Sequence, residues 1–333
     1  MGLAQNDTQQ PTNGPFETKY ENLNMATLAK LLEHGKRAVA RPGIERNDTF
    51  IVDKNRRNLA GVNGAMSLGR DLMPVFLDVE SRIYAPGITA PAGQQTTLER
   101  KLAENSRVIE AGANLILMPE KMTAIESGGV VGFRQEPGRF VTIEPANFQA
   151  VALDPLTGEG EITAGAMPSN EAIINRDAFT QRAARFTINR ATQKALGDGQ
   201  LSAELMTAIA LGIGRAVDAE LLAAIVATTP AAFSLANAAT AGIKHNELRA
   251  IVGTTGAGAQ MIEGGLYAAG IKGEFSAATT ATIIGAYSRA AIALGDEILF
   301  LAERTDAAGN LVVSCWFDVQ ALLPEPGKFW NVA

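Results

Sequence analysis

The sequence predicts an α+β fold built on one long helix, a long projecting hairpin and a closing pair of strands. Three stretches carry that expectation. Within residues 131–175, strand-like pieces at 140–143, 148–153 and 161–163 are separated by Glu144-Pro145 and by the turn-rich Asp154-Pro155-Leu156-Thr157-Gly158-Glu159-Gly160. From Ser202 onward, Leu205, Ile209, Gly212 or Ile213, Ala216 and Ala219 recur at helical spacing, with Arg215 and Asp218 on the outer side. Near the end, apolar runs at 298–303 and 311–317 flank Asp306-Ala307-Ala308-Gly309-Asn310, a hairpin turn.

Taken in order, residues 1–15 are polar and carry Pro11, Gly14 and Pro15. They bury too little surface to fold alone and are expected to form an extended arm that a neighbour holds. Over 24–40, Met25, Leu28, Leu31 and Leu32 interleave with Lys30, Glu33 and Lys36 in a short amphipathic helix. His34 lies near its carbonyl end, and Gly35 or Arg41-Pro42-Gly43 closes it. The 71–84 segment alternates imperfectly, and Pro86, Gly87, Pro91 and Gly93 mark an exposed loop after it. Residues 97–111 read as helix, 114–118 as a short buried strand stopped by Pro119, and 122–125 as the start of a helix or turn ended by Gly128-Gly129. The hairpin follows, at roughly 138–176, and a ribbon of that kind has too little area to be stable alone, so it is expected to lie on a neighbouring surface. The long helix is expected to start at an N-cap, Ser202, with Glu204 in its first turn. It runs for about 24 residues, or ~36 Å, to Ile225 or Val226.

Composition excludes several functions. In 333 residues, 29 Lys plus Arg stand against 35 Asp plus Glu, a net charge of −6, so no broad basic face is available to neutralise phosphates. The histidines are His34 and His245 and the cysteine is Cys315, too few for a zinc site, a dithiol oxidoreductase or a disulfide framework. Cys315 is expected to be a buried small hydrophobe, and His245, in Lys244-His245-Asn246-Glu247, a solvated side chain. Charged residues make up only 19% and hydrophobic residues 47%, so part of the surface is expected to be covered by other copies of the chain. The first ten residues lack a signal peptide's charged start and apolar stretch, and the apolar run at 221–233 is interrupted by Pro230. A protein that is cytoplasmic when made and does not enter a membrane is expected.

The glycine-rich phrase Gly253-Thr254-Thr255-Gly256-Ala257-Gly258 is the tempting site for a nucleotide. Its order is not the dinucleotide fingerprint and no Gly-Lys-Ser/Thr follows, so it reads as a flexible loop at a subunit junction. Glu159 and Glu161 at the hairpin tip read as solvated charges, and no serine stands in a nucleophile elbow. No catalytic residue, cofactor or metal ligand is expected.

The order of phrases from 131 to 228 carries a resemblance. A long hairpin and a strand lead to Phe186-Thr187-Ile188-Asn189-Arg190-Ala191-Thr192, then to a break at Gly197-Asp198-Gly199 and a long helix ending in Asp218-Ala219-Glu220-Leu221-Leu222. This resembles the major capsid proteins of tailed bacteriophages, the Johnson fold, whose spine helix ends in a similar acidic-Ala-Leu-Leu phrase. At the far end, Ile284-Gly285-Ala286-Tyr287-Ser288-Arg289-Ala290 resembles that family's Gly-Asp-Phe turn, and Phe329 its closing aromatic. The stretch after the spine helix is short for the family and lacks its Asn-Pro-Arg-like phrase.

The resemblance implies an arm and short helix over 1–50, part of a peripheral or axial domain over 51–130, the projecting hairpin (E-loop) over 131–185, strand and spine helix over 186–228, and the remainder over 229–333, in a rearranged element order. It implies a shell subunit in a virion, assembled in the host cytoplasm. Its partners are further copies of itself in pentamers and hexamers, with a cement or decoration protein, a portal and a scaffold, and only weak, nonspecific contact with packaged DNA. The candidate assembly residues are Phe16, Phe148, Leu153, Pro155, Arg215 and Asp218. An encapsulin-like compartment shell is the alternative, marked by a lumenal apolar groove for cargo peptides. An α/β enzyme using the 253–258 loop is a further alternative, which nucleotide-analogue binding would reveal.

Overall fold

The computed structural model describes residues 95–118, 138–148, 165–295, 297–304 and 309–332, together with short strands between 51 and 134. The expected arm, the 24–40 helix, the 86–93 loop and the strand pieces at 149–153 and 161–163 lie outside the described residues. Strand β1 (Ile51–Asp53) pairs with β2 (Arg57–Leu59), β3 (Gly64–Ser67) joins a larger sheet, and β4 (Leu72–Pro74) pairs with β5 (Gln95–Thr97). Helices α1 (Leu98–Asn105) and α2 (Arg107–Glu110) follow, and the expected single helix is split at Ser106, whose hydroxyl accepts from the Ile109 amide to cap α2.

After β6 (Asn114–Met118) come two antiparallel hairpins, β7 (Thr123–Ser127) with β8 (Val130–Arg134), and β9 (Gly138–Ile143) with β10 (Ser169–Ile174). The first of these corrects the expected helix or turn at 122–125. Thr-Ala-Ile-Glu and Val-Val-Gly-Phe are β-branched runs on either side of Gly128-Gly129, which is a hairpin pattern. β6 is the expected strand, half-buried rather than buried, because it is an edge strand pairing in parallel with β17 only.

Strand β11 (Thr180–Ile188) runs into α3 (Arg190–Ala227). The expected start at Ser202 is corrected: Asn189 is the N-cap, its side chain accepting from the Thr192 amide at 2.8 Å, and Ser202 is buried inside the helix. The expected break is present at Gly197, whose φ of 69° and ψ of 171° lie outside the helical region and divide α3 into a short and a long piece. Beyond α3 come α4 (Leu235–Thr240), β12 (Arg249–Val252), β13 (Ala259–Ile262), β14 (Gly265–Ala268), β15 (Ile271–Phe275) and β16 (Thr282–Gly285). The chain closes with β17 (Ala291–Gly295), β18 (Glu297–Arg304), β19 (Leu311–Leu322) and β20 (Phe329–Val332).

Two sheets result. One runs β3-β18-β19-β17-β6, with β11 on the other edge of β19; the second runs β13-β14-β15-β12-β16-β20. The expected closing hairpin is β18 with β19, and β17 prolongs it. Five steps from Leu294 to Leu299 face only three from Val319 to Trp316, so a bulge bends the long strand between β17 and β18.

Helix α3 packs on the first sheet and is covered by α1 and α2. Met206, Ile209, Ile213, Val217, Leu221 and Ile225 meet Phe300, Val313 and Val319 below and Leu102 and Val108 above. Each such side chain stabilises the fold by about 1.5–3 kcal/mol relative to exposure. Strands β12, β16 and β20 form the wall between two cores, which is why both of their faces are apolar. Ile251, Ile283 and Phe329 enter the helix core, while Val252, Ile284 and Trp330 enter a second core closed by α4 and by Phe233, whose ring meets Trp330 edge-on at 6.1 Å. The same alternation recurs in β17: Ile292 and Leu294 point to the helix, Ala291 and Ala293 to the opposite face, where the β9–β10 hairpin is rooted.

Candidate assembly surface

Strands β9 and β10 pair with Phe140 opposite Ala172, Val141 opposite Glu171 and Arg139 opposite Ile173. One face of this ribbon, carrying Phe140, Ala172 and Ile174, packs on Ala291, Ala293 and Leu322. The opposite face presents Val141, Ile143 and Ile173 to solvent, Ile143 at 65% exposure, with Arg139 and Glu171 paired between them at 3.4 Å. Past the strand ends, Phe148 is 96% exposed and Met167 73%. An apolar ribbon face of this extent is the kind of surface that a partner covers.

Of the candidate residues read from sequence, Phe148 is therefore exposed on the projecting hairpin, and Phe16, Leu153 and Pro155 lie outside the described residues. Arg215 is exposed on the outer side of α3, where Leu211 and Val226 are also exposed. Val141, Ile143 and Ile173 were missed, because Phe140 and Val141 are adjacent apolar residues on opposite faces of the strand and the sequence alone does not say which face is open.

Asp218 corrects the expectation. It is not on the outer side of the helix but 3% exposed, turned inward against α2. Its carboxylate accepts from the Ser106 hydroxyl at 2.6 Å and from the backbone amides of Val108 at 3.1 Å and Arg107 at 3.2 Å. Burial pushes this carboxyl above its ordinary range, opposed by the hydrogen bonds from Ser106 and the two amides. The side chain thus joins the long helix to the α1–α2 cover by satisfying amides that a helix start leaves open. Helical spacing could not place it, because position 218 lies where the core stripe is widened by the covering helices.

Cys315, Tyr287 and the 253–258 phrase are held within the fold. The Cys315 thiol is buried and pushed up to about 11, which leaves it protonated and unreactive at neutral pH. Burial, and then the Asp218 charge, hold the Tyr287 hydroxyl well above its ordinary range. In the glycine-rich phrase, the amides of Thr254 and Thr255 donate to Thr279 and Thr280 carbonyls at 3.0 and 3.1 Å, and Gly256 donates to Gly253 at 3.0 Å. Those donors are spent on the 279–280 carbonyls and within the loop, and a strand rather than a helix follows, which does not fit a phosphate cradle. A Cβ on Gly253 would lie 2.3 Å from the Ala281 carbonyl oxygen, so glycine is there for close strand approach. Among the described residues no group of His, Cys, Asp and Glu stands ready to hold a metal ion, and no helix is long and apolar enough to cross a membrane.

No protein-family model matches the chain, and no curated protein does. Among solved structures, it is similar to one from Mycobacterium phage Che8, with 11% identity over 77% of this chain and 98% of that one and a TM-score of 0.39. It is similar to one described as the satellite phage P4 procapsid including its size determination protein, with 11% identity, coverage of 70% and 96%, and a TM-score of 0.41. It is also similar to one described as the capsid of an empty GTA particle, with 9% identity, coverage of 77% and 94%, and a TM-score of 0.45.

Proposed function

We propose that the chain is the repeating subunit of a closed protein shell, a major capsid protein of the Johnson type in the head of a tailed phage. The observation that carries this reading is the projecting β9–β10 ribbon, rooted on one face and presenting Val141, Ile143, Ile173 and Phe148 on the other. A subunit that leaves such a face open gains by repeating itself until every copy is covered. The net charge of −6 suits a lumen that does not adhere to packaged nucleic acid, and the commitment of Cys315, Tyr287 and the 253–258 loop to structure supports a role without catalysis. In this reading the chain works in the virion, with copies of itself in pentamers and hexamers, and with scaffold, portal and cement proteins as further partners.

Negative-stain microscopy of the expressed protein should show shells, sheets or capsomer rings; uniform small particles at all concentrations would overturn the proposal. Phe148→Asp should raise the concentration needed for assembly at least about tenfold. It should leave the melting temperature of the subunit unchanged, because the residue is 96% exposed.

The sequence also bears on how a shell of this kind holds together. A side-chain isopeptide bond needs a deprotonated lysine amine to attack an amide, and arginine, always protonated, cannot replace it. Between Lys121 and Lys194 there is no lysine, so the hairpin cannot supply that amine. Particles boiled in detergent should release one band near 35.0 kDa, and a ladder that survives reducing agent would show a covalent weld.

A further inference from the structure

The outer end of the β9–β10 ladder is held by an ionic cluster drawn from four parts of the chain. Glu144, just past β9, meets the Lys328 ammonium at 3.3 Å, and that ammonium lies 3.8 Å from Glu325 and donates to the Ala241 carbonyl at 2.6 Å. Glu325, between β19 and β20 and 5% exposed, accepts from the Arg289 guanidinium with both carboxylate oxygens at 3.1 Å. Arg289 is itself 3.8 Å from Glu247, and the Thr142 hydroxyl of β9 is buried beside Glu325. Glu144, Glu247, Glu325, Arg289 and Lys328 are the charged groups facing one another here, three carboxylates on two cations.

The two strands of the hairpin are held differently. Gln320 pins the β10 side, donating to the Ile173 carbonyl at 3.0 Å and accepting from the Asn175 amide at 3.2 Å. The outer end of β9 has the Glu144–Lys328 pair as its polar tie, and the apolar root beneath it rests on the small side chains of Ala291 and Ala293. We propose that the cluster is a catch on the outer end of the hairpin, and that neutralising its carboxylates lets the β9–β10 ladder open locally from that end. The inference concerns the isolated subunit and stands without the shell reading.

The direction of the pH response follows from Glu325. Burial raises its carboxyl, and the Thr142 hydroxyl and the Arg289 guanidinium outweigh that, leaving it below its ordinary value of 4.5. Its stabilisation is therefore present above pH 4.5 and is lost as pH falls further, through the folded-state value. The catch holds at neutral pH and opens in acid.

The test is amide hydrogen exchange on the full-length chain, expressed as protection factors so that the pH dependence of intrinsic exchange is removed. At pH 7, Glu144→Gln and Glu325→Gln should each lower protection in β9 and β10 about tenfold while β19 keeps its own. The unsubstituted chain should begin to show the same local loss only below pH 4.5, deepening as the pH is lowered further. Glu144 is 39% exposed in its side chain, so its substitution spares the core and decides the matter even where Glu325→Gln unsettles the Arg289 turn. Unchanged protection in Glu144→Gln, or equal loss in β19, would overturn the catch.

Discussion

Replacing Asp218 by alanine should destabilise the subunit by about 3 kcal/mol, since it strands the buried Ser106 hydroxyl and two helix-start amides without an acceptor at roughly 1–3 kcal/mol apiece, partly relieved by relaxation. In a chain of this size that is a fall in melting temperature of roughly 4–5 °C. Asp218→Asn should cost less, because it keeps one carbonyl oxygen as acceptor and removes a charge that burial disfavours. The two substitutions also separate by pH. The Asp218 carboxyl is raised from 3.8 in the folded chain, so its favourable contribution is complete below 3.8 and is lost as pH rises through the folded-state value. The unsubstituted chain should thus gain on Asp218→Asn as the solution is acidified toward pH 3.8, measured by parallel thermal melts. Equal melting of Asp218→Ala and the parent would mean that α1 and α2 are not held through this carboxylate.

Asp218 also shows where the sequence stops being legible. The long helix, the Gly197 break and the β18–β19 pair are written in local pattern: 3.6-residue spacing, a glycine with positive φ, and β-branched runs about a turn. The start of the helix was hidden because Asn189 and Ser202 are both acceptable caps, and only tertiary contacts of the first turns, Gln193 buried on the Ile188 and Gly309 carbonyls and Leu196 against the core, decide between them. The inward turn of Asp218 depends on α2, more than 100 residues earlier in the chain, and no local pattern encodes a partner at that distance. The strand character of β9 was readable, but which of its two partly apolar faces is open was not, and neither was the ionic cluster at its outer end. Glu144, Glu247, Arg289, Glu325 and Lys328 are ordinary surface residues until the fold collects them.

Gly285→Ala should be at least as damaging, costing about 3 kcal/mol or more, the upper end of what overpacking a core does. A Cβ at this position would sit 2.2 Å from Cδ1 of Phe329 and 2.8 Å from Cε1. The ring has nowhere to go: it is 1% exposed and meets the Tyr287 ring edge-on at 5.4 Å. The strands cannot part either, because Gly285 is directly opposite Phe329 in the β16–β20 ladder and the Ala286 amide donates to the Lys328 carbonyl at 3.2 Å. This is the contact between the 284–290 phrase and the closing aromatic, two features that the sequence presents more than 30 residues apart. The explanation makes a stricter demand than lost stability alone. Phe329→Leu should cost about 1–2 kcal/mol by itself, yet in the Gly285→Ala background it should restore at least about 1 kcal/mol by vacating the space the methyl needs. Thermal melts of the two single variants and the double variant close the cycle, and strictly additive losses would show that the ring is not what excludes a side chain at 285.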